Sequence, residues 1–322
     1  MKEKAHHPDR TSLLADIAEM YFLEGKNQNE ISRMVGMTRS NVSRLLKEAR
    51  QLGIVQIQIN RPIQENAALA KALVERFHLK TAHIIQVDHS TDLLSKLGSV
   101  AADELYNHIQ PGMVLGTAWG TGISATVEHL EVENRFPDIK VVQLLGALGS
   151  RIQEYDGHGI VRRLEEKLDA EGIYLNAPYL VDDAHTAGLL LETASIKEAL
   201  NIGKEADIAL LGVGSIDLMY CSYYLAGYVS EDEILNIQAS GAVGDVCGRF
   251  FTIDGELISD DYQDRLIGLS IDDLVSIPMR IGVAGGTGKI IPILGALRGG
   301  LINVLVTDST TALGVLDQAD QR

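Results

Sequence analysis

Eight side chains between positions 28 and 47 are of the types that can contact base edges and phosphates: Gln28, Thr38, Arg39, Ser40, Asn41, Ser43, Arg44 and Lys47. Arginine presents paired donors to guanine, asparagine and glutamine pair with adenine, and serine, threonine and lysine reach backbone oxygens. A second set is built of glycines. Four glycine-rich turns run over residues 116–122, 145–150, 212–215 and 285–289, and the last ends in Lys289. Glycine lets backbone N–H groups converge, and a following helix N-terminus adds partial positive charge, so such turns cradle phosphate. Lys289 is placed to complete an anion site drawn from several loops.

The first set needs a helix in a groove, and the pattern supplies one. Residues 13–23 bring Leu13, Leu14, Ile17, Ala18, Tyr21 and Phe22 to one helical face, and Gly25 ends that run. Residues 27–36 predict a short helix with Ile31, Met34 and Val35 inward, closed by Gly36 in the positive-φ conformation of a helix end. Thr38 is then the N-cap of a second helix whose inner face is Val42, Leu45, Leu46 and Ala49. Its outer face holds Arg39, Ser40, Asn41, Ser43, Arg44 and Lys47. Two short helices joined by a glycine turn form a helix-turn-helix, whose second helix enters the major groove. Residues 54–59 alternate apolar and polar, which predicts a strand and the wing of a winged helix.

The second set needs strand ends. Arg61-Pro62 marks a boundary, giving a DNA-binding domain over 1–61 and an α/β domain over 62–322. Residues 65–77 predict an amphipathic helix, a linker or oligomer contact, with Leu69, Leu73 and Phe77 on one side. Strands are predicted at 82–87, 113–117, 140–145, 208–213, 280–284 and 303–307, with helical stretches such as 93–109 and 160–168 between them. Strands alternating with helices imply a doubly wound, mostly parallel sheet with both faces covered, and ligands in such sheets sit at the carboxyl ends of the strands. The glycine turns fall there.

Rival motifs fail on single residues. Gly120 to Ala125 matches GxGxxA, yet the next strand ends Leu144-Leu145-Gly146 without the acidic residue that would hold a ribose. Gly212-Val-Gly214 has Asp217 where a third glycine would stand. Around Lys289, Val283 replaces the first glycine of a Walker A loop and Ile290 its Ser/Thr. His158 and His185 lie near Asp156 and the pair Asp182-Asp183; that pair could serve as an acid and base, but at a strand end a helix cap is the expected role.

The 322 residues suit two domains and contain no apolar run long enough to cross a bilayer, and the polar first ten residues do not form a secretory signal. Cys221 and Cys247 are too far apart in sequence for metal-ligand spacing, which predicts reduced thiols, a cytoplasmic protein and no metal or cofactor. A net charge of −16 argues against a nucleic-acid partner until it is divided. Residues 1–61 hold ten Lys/Arg against seven Asp/Glu, whereas the remainder holds 18 against 37. A basic head on an acidic body suits a DNA reader.

Several stretches then combine in a telling order: Asn29-Glu-Ile-Ser-Arg33, Ser43-Arg-Leu-Leu-Lys47 with Gly53-Ile-Val, and Gly116-Thr-Ala-Trp-Gly-Thr121. Gly241-Ala-Val-Gly-Asp245 follows, with Phe250-Phe251 and Asp254-Gly255, then Gly282-Val-Ala-Gly-Gly286, Lys289, Ala296-Leu297 and Asp308. Over nearly its whole length the chain resembles the SorC family of sugar-responsive transcription regulators. The resemblance implies a sensor domain similar to the sugar-phosphate isomerase and deaminase fold but without catalysis, and a homotetramer or dimer of dimers on palindromic operator DNA. It implies that Trp119, Gly120, Thr121 and Gly122 hold an effector phosphate, that Asp245 accepts from sugar hydroxyls, and that Lys289 pairs with phosphate or hydroxyl. Gly146 to Ser150, Asp156 and Gly214 complete the implied effector site. One departure is Gly122-Ile123, where many relatives carry Arg-Thr or a second Thr, which leaves a free polyol as an alternative effector. The rival functions are a sugar-phosphate isomerase or deaminase with an accessory DNA-binding domain, and a nucleotide-binding module.

Overall fold

Buried leucines and isoleucines at helical spacing set up the first unit. In a computed structural model, the residues described are 10–55, 62–86, 92–133, 136, 138–147, 156–225, 227, 229–258 and 261–321. They divide into two compact units at the Pro62–Ile63 bond. The first unit holds helices α1 (Arg10–Phe22), α2 (Gln28–Val35) and α3 (Arg39–Gln51). Leu14, Ile17 and Ala18 from α1, Ile31 from α2, and Val42, Leu45, Leu46 and Ala49 from α3 form one buried cluster. Met34 departs from its expected inward place and is 59% exposed. In so short a helix, Ile31 and the half-buried Val35 already cover the available core surface. Of the expected wing, Ile54 and Val55 form no strand, and residues 56–59 lie outside the described residues.

The second unit begins with α4 (Ala67–Phe77), β1 (Thr81–Ile85), α5 (Leu93–His108), β2 (Val114–Thr117), α6 (Thr121–His129) and β3 (Lys140–Gln143). It continues with α7 (Gly157–Leu168), β4 (Glu171–Ile173), α8 (Ala184–Leu191), α9 (Ala194–Lys204), β5 (Ile208–Gly212) and β6 (Gly214–Ser215). Then come α10 (Ser222–Leu225), α11 (Glu231–Ala239), β7 (Ala242–Val246), β8 (Arg249–Thr252), α12 (Asp261–Asp264) and α13 (Ile271–Ser276). The last elements are β9 (Met279–Val283), α14 (Ile290–Arg298), β10 (Val304–Asp308) and α15 (Ser309–Asp320).

Helix α4 starts two residues later than its pattern suggests, because Asn66 caps it and Glu65 bridges to Ile85 instead. Its apolar side is consumed internally, with Leu73 buried and Leu69 and Phe77 packed on the same core.

Seven strands form one sheet in the order β1-β10-β9-β5-β2-β3-β4. Every pairing in it is parallel. Burial along β10 is continuous rather than alternating, which requires cover on both faces. From β2 the chain steps outward through β3 to β4, then returns to β5 on the other side of β2 and proceeds outward through β9 to β10. The winding direction therefore reverses between β2 and β5, and a crevice opens at the carboxyl ends of strands at such a point. A second, antiparallel sheet of β6, β7 and β8 was not signalled by the sequence pattern.

Candidate functional site

The face of α3 opposite its buried residues is polar and open. Arg39, Ser40, Asn41, Ser43, Arg44 and Lys47 are exposed, and Gln28 at the start of α2 is half-buried. Two caps fix this arrangement. Asn27 accepts from the Asn29 and Glu30 amides while Glu30 returns a carboxylate to the Asn27 amide, a reciprocal capping box. Thr38 Oγ1 accepts from the Asn41 amide at 3.3 Å, so its oxygen is already used at the N-terminus of α3. Gly36 ends α2 at φ +67°. Two other cations of this unit are engaged: Arg10 makes a bidentate pair with Glu48, and Arg50 lies over the Phe22 ring. Arg39, Arg44 and Lys47 have no hydrogen bond or ion pair among the described residues, which leaves three charges for phosphates and base edges.

In the second unit, a cavity of about 210 Å³ opens at the reversal of the sheet. The segment after β2 contributes Ala118 to Gly122, that after β5 Val213 and Gly214, and that after β9 Ala284 and Gly285. Ser222, Tyr223, Asp245, Cys247 and Lys289 add to the polar lining, and Leu93, Leu94 and Leu97 supply an apolar side. Gly120 precedes α6 at φ +143°, and no side chain caps that helix. Its leading N–H groups remain available for an anion, with the helix dipole in support. Lys289 ends a single 3-10 turn, Thr287–Lys289, leading into α14; burial pulls its ammonium below the usual lysine range, and Asp245 opposes that shift.

Asp245 is 4% exposed. Its Oδ2 accepts from the Tyr223 hydroxyl at 2.6 Å and the Gly248 amide at 3.1 Å. Its Oδ1 is buried and has no partner. Desolvation raises this carboxyl above the ordinary aspartate value, against the Tyr223 bond and the Lys289 charge. Gly214 faces Asp245 directly in the β6–β7 register, and a Cβ on Gly214 would lie 1.7 Å from Oδ1. Only glycine leaves that oxygen in place. The turn joining β7 to β8 has Cys247 and Gly248 at φ +51° and +71°, the geometry of a type I′ turn, and it delivers the Gly248 amide to Oδ2.

Trp119 meets Tyr179 and Tyr223 edge-on, and those two tyrosines stack on each other. The indole N–H donates to the Gly146 carbonyl at 2.9 Å, so Trp119 walls the cavity rather than offering a donor to it. Seven of the expected effector residues, Trp119, Gly120, Thr121, Gly122, Gly214, Asp245 and Lys289, line this one cavity. Gly146 and Asp156 are not in its lining. Gly146 is pressed against the Pro178 carbonyl, where a Cβ would approach to 2.5 Å. Asp156 precedes α7 without capping it, and Ser150 lies outside the described residues. His158 borders a separate cleft of about 690 Å³ with Tyr179, Asp182 and Arg265. Asp183 caps α8, its two oxygens accepting from the Thr186 amide and hydroxyl.

Comparisons with known proteins follow this division. Residues 15–51 match the family model "Sigma-70, region 4", and residues 61–317 match "Putative sugar-binding domain". The chain is 35% identical over 308 residues to the transcriptional regulator LsrR of Enterobacter sp. strain 638, covering 94% of this chain and 92% of that one. It superposes on the full-length sorbitol operon regulator SorC from Klebsiella pneumoniae with a TM-score of 0.73 at 29% identity, covering 95% and 99% of the two chains. The chain belongs to the SorC family of sugar-binding transcription regulators. Another relative of this SorC-family protein is the deoxyribonucleoside regulator of Bacillus subtilis, 30% identical over 312 residues, covering 96% and 98%. The α1–α3 unit is thus the DNA-binding helix-turn-helix, and the α/β unit is the sugar-binding sensor. Among the described residues no helix is long and apolar enough to cross a membrane.

Sequence reasoning missed Tyr223, Cys247 and the leucines of α5 as lining residues of this SorC-family sensor. Tyr223 sits in a four-residue helix without periodicity, and its nearness to Asp245 arises only from tertiary folding. The Cys247-Gly248 turn lacks the usual Asn-Gly or Asp-Gly signature. The apolar stripe of α5 was legible, but not the end of the sheet it covers.

Proposed function

We propose that this regulator binds a small phosphorylated sugar or polyol in the cavity between the β2 and β5 ends, and that occupancy changes its affinity for operator DNA. The observation that carries the reading is the buried Asp245, with an unpartnered oxygen, sharing a small cavity with Lys289 and the uncapped start of α6. A carboxylate accepts from hydroxyl groups, whereas an ammonium and helix N–H groups favour phosphate. Thr121 and Gly122 are the α6 residues assigned to phosphate, Asp245 to a hydroxyl, and Lys289 to either. Gly214 makes room for Asp245, and Trp119 walls the site. Gln28, Thr38, Arg39, Ser40, Asn41, Ser43, Arg44 and Lys47 form the operator-reading surface.

The cavity acts as a sensor and not as an isomerase or deaminase. What supports this reading is that the relatives are named as regulators; burial also raises Cys221 and pushes Cys247 up to about 12, so neither nearby thiol is an activated nucleophile. Self-association into a dimer or tetramer fits exposed apolar side chains at Leu189, Met219 and Leu225, and light scattering of the purified chain tests it. Free Cys221 and Cys247 suit a cytoplasmic setting.

The test is a thermal-shift screen of the full chain against sorbitol, sorbitol 6-phosphate, ribose 5-phosphate and deoxyribose 5-phosphate, because a ligand that binds only the native state raises the melting point. Stabilisation by a phosphorylated sugar, lost in Asp245→Ala and Lys289→Met, is expected. Turnover of a sugar phosphate that disappears in Asp245→Ala would overturn the sensor reading, and stabilisation by NAD or ATP alone would overturn the ligand class.

A further inference from the structure

The two oxygens of Asp245 are treated unequally, and the inequality has a single cause. Oδ2 is saturated by the Tyr223 hydroxyl and the Gly248 amide, which together occupy the two lone pairs of that oxygen. Oδ1 is left without a partner, in the space that the absent side chain of Gly214 provides. Tyr223 has little freedom to release its bond: it is 5% exposed, stacked on Tyr179 and edge-on to Trp119 and Phe250. A carboxylate with both oxygens free would clasp a vicinal diol. Here one oxygen is withdrawn before any ligand arrives.

We propose that Tyr223 is a positioning residue for effector selection: with the Gly248 amide it holds Asp245 so that Oδ1 alone reads a single effector hydroxyl. The proposal rests on the cavity being the effector site. Tyr223 itself need not touch the effector; it acts by fixing the orientation and protonation of Asp245. The ionisable groups around that carboxyl are Tyr223, Lys289, Cys221 and Cys247. Burial disfavours the anion there, and the Tyr223 bond counteracts it. Removing the bond therefore moves the carboxyl toward the protonated form, in which it offers a donor to the effector in place of an acceptor.

Two readouts on the full chain test this. The first needs no ligand: in protein labelled with carboxyl-¹³C aspartate, the Asp245 resonance, identified by its loss in Asp245→Asn, is followed with pH. In Tyr223→Phe it should titrate at higher pH than in the parent. The second is calorimetric titration with sorbitol 6-phosphate and ribose 5-phosphate at pH 5.5 and 7.5. Tyr223→Phe should weaken whichever probe the parent binds by about tenfold at pH 7.5, and by more at pH 5.5. In an Asp245→Asn background, the same substitution should have little further effect, whereas a merely structural role would weaken binding in both backgrounds. An unchanged carboxyl titration, or an equal loss in both backgrounds, overturns the proposal. If neither probe binds the parent, the assignment of the cavity to sugar phosphates fails, and the carboxyl titration still decides the role of Tyr223. Should Tyr223→Phe not fold, Gly214→Ala approaches the same geometry from the opposite side: unchanged probe affinity there would overturn the single-oxygen reading.

Discussion

Arg39, Arg44 and Lys47 have no hydrogen bond, ion pair or ring contact among the described residues, unlike Arg10 and Arg50. Arg10 is bound to Glu48 and Arg50 covers Phe22, so replacing those would disturb the helices instead of the DNA interface. The double substitution Arg39→Ala, Arg44→Ala should abolish operator binding and leave the melting temperature almost unchanged. For each phosphate that goes unneutralised, the slope of log affinity against log salt should flatten by about 0.9. Persistence of parental affinity and salt slope, measured by fluorescence anisotropy, would contradict the assignment. A second residue-scale prediction concerns His83. Its Nδ1 lies 3.1 Å from Glu65 and its Nε2 3.1 Å from Glu104, so both ring nitrogens meet carboxylates and the imidazolium is favoured. The Glu104 bond, followed by that to Glu65, raises its pKa above the ordinary 6.5. The sign follows from linkage: the contribution is full below 6.5 and is lost as pH rises through the raised folded value. His83→Gln should therefore cost more stability at pH 6 than at pH 9 by urea denaturation, and an equal cost at both would contradict it.

At the scale of elements, α2 depends on its two ends. Asn27→Ala removes an acceptor for two amides and breaks the capping box; a loss of about 1 kcal/mol is expected for the first unit, read from chemical denaturation. A change below a few tenths would show that the box is satisfied by water instead. The sequence made the long-period features legible. The inner face of α3 and six of the seven strands of the parallel sheet are marked by apolar spacing, because each is buried over several residues. Shorter features left no such mark. Strand β4 contains only Glu171-Gly-Ile173, and β6 only Gly214-Ser215, which is too little for a period to register. Lys289 and Asp245 were identifiable by residue type and by family pattern, whereas Tyr223 was not, because a hydrogen bond across 22 positions leaves no trace in local sequence. Gly146 shows the reverse error. Its glycine reads as a ligand turn, yet its role is to accept the Trp119 indole and admit Pro178.

Across the whole molecule, charge and topology divide the work. A chain with net charge −16 still presents the exposed cations Arg39, Arg44 and Lys47 on one face of α3, and the local field there governs phosphate binding more than the total does. The sheet reverses its winding between β2 and β5, which alone explains why loops from three strands distant in sequence meet at one cavity. A regulator of this design requires that effector and operator compete or cooperate through a coupling free energy, and that coupling is reciprocal. The most direct measurement is the affinity of the full chain for a duplex selected by binding to it, by fluorescence anisotropy, with and without saturating sugar phosphate. A change of roughly 5- to 150-fold is expected, absent in Asp245→Ala. An identical operator affinity in the presence of a sugar phosphate shown by calorimetry to fill the cavity would contradict it.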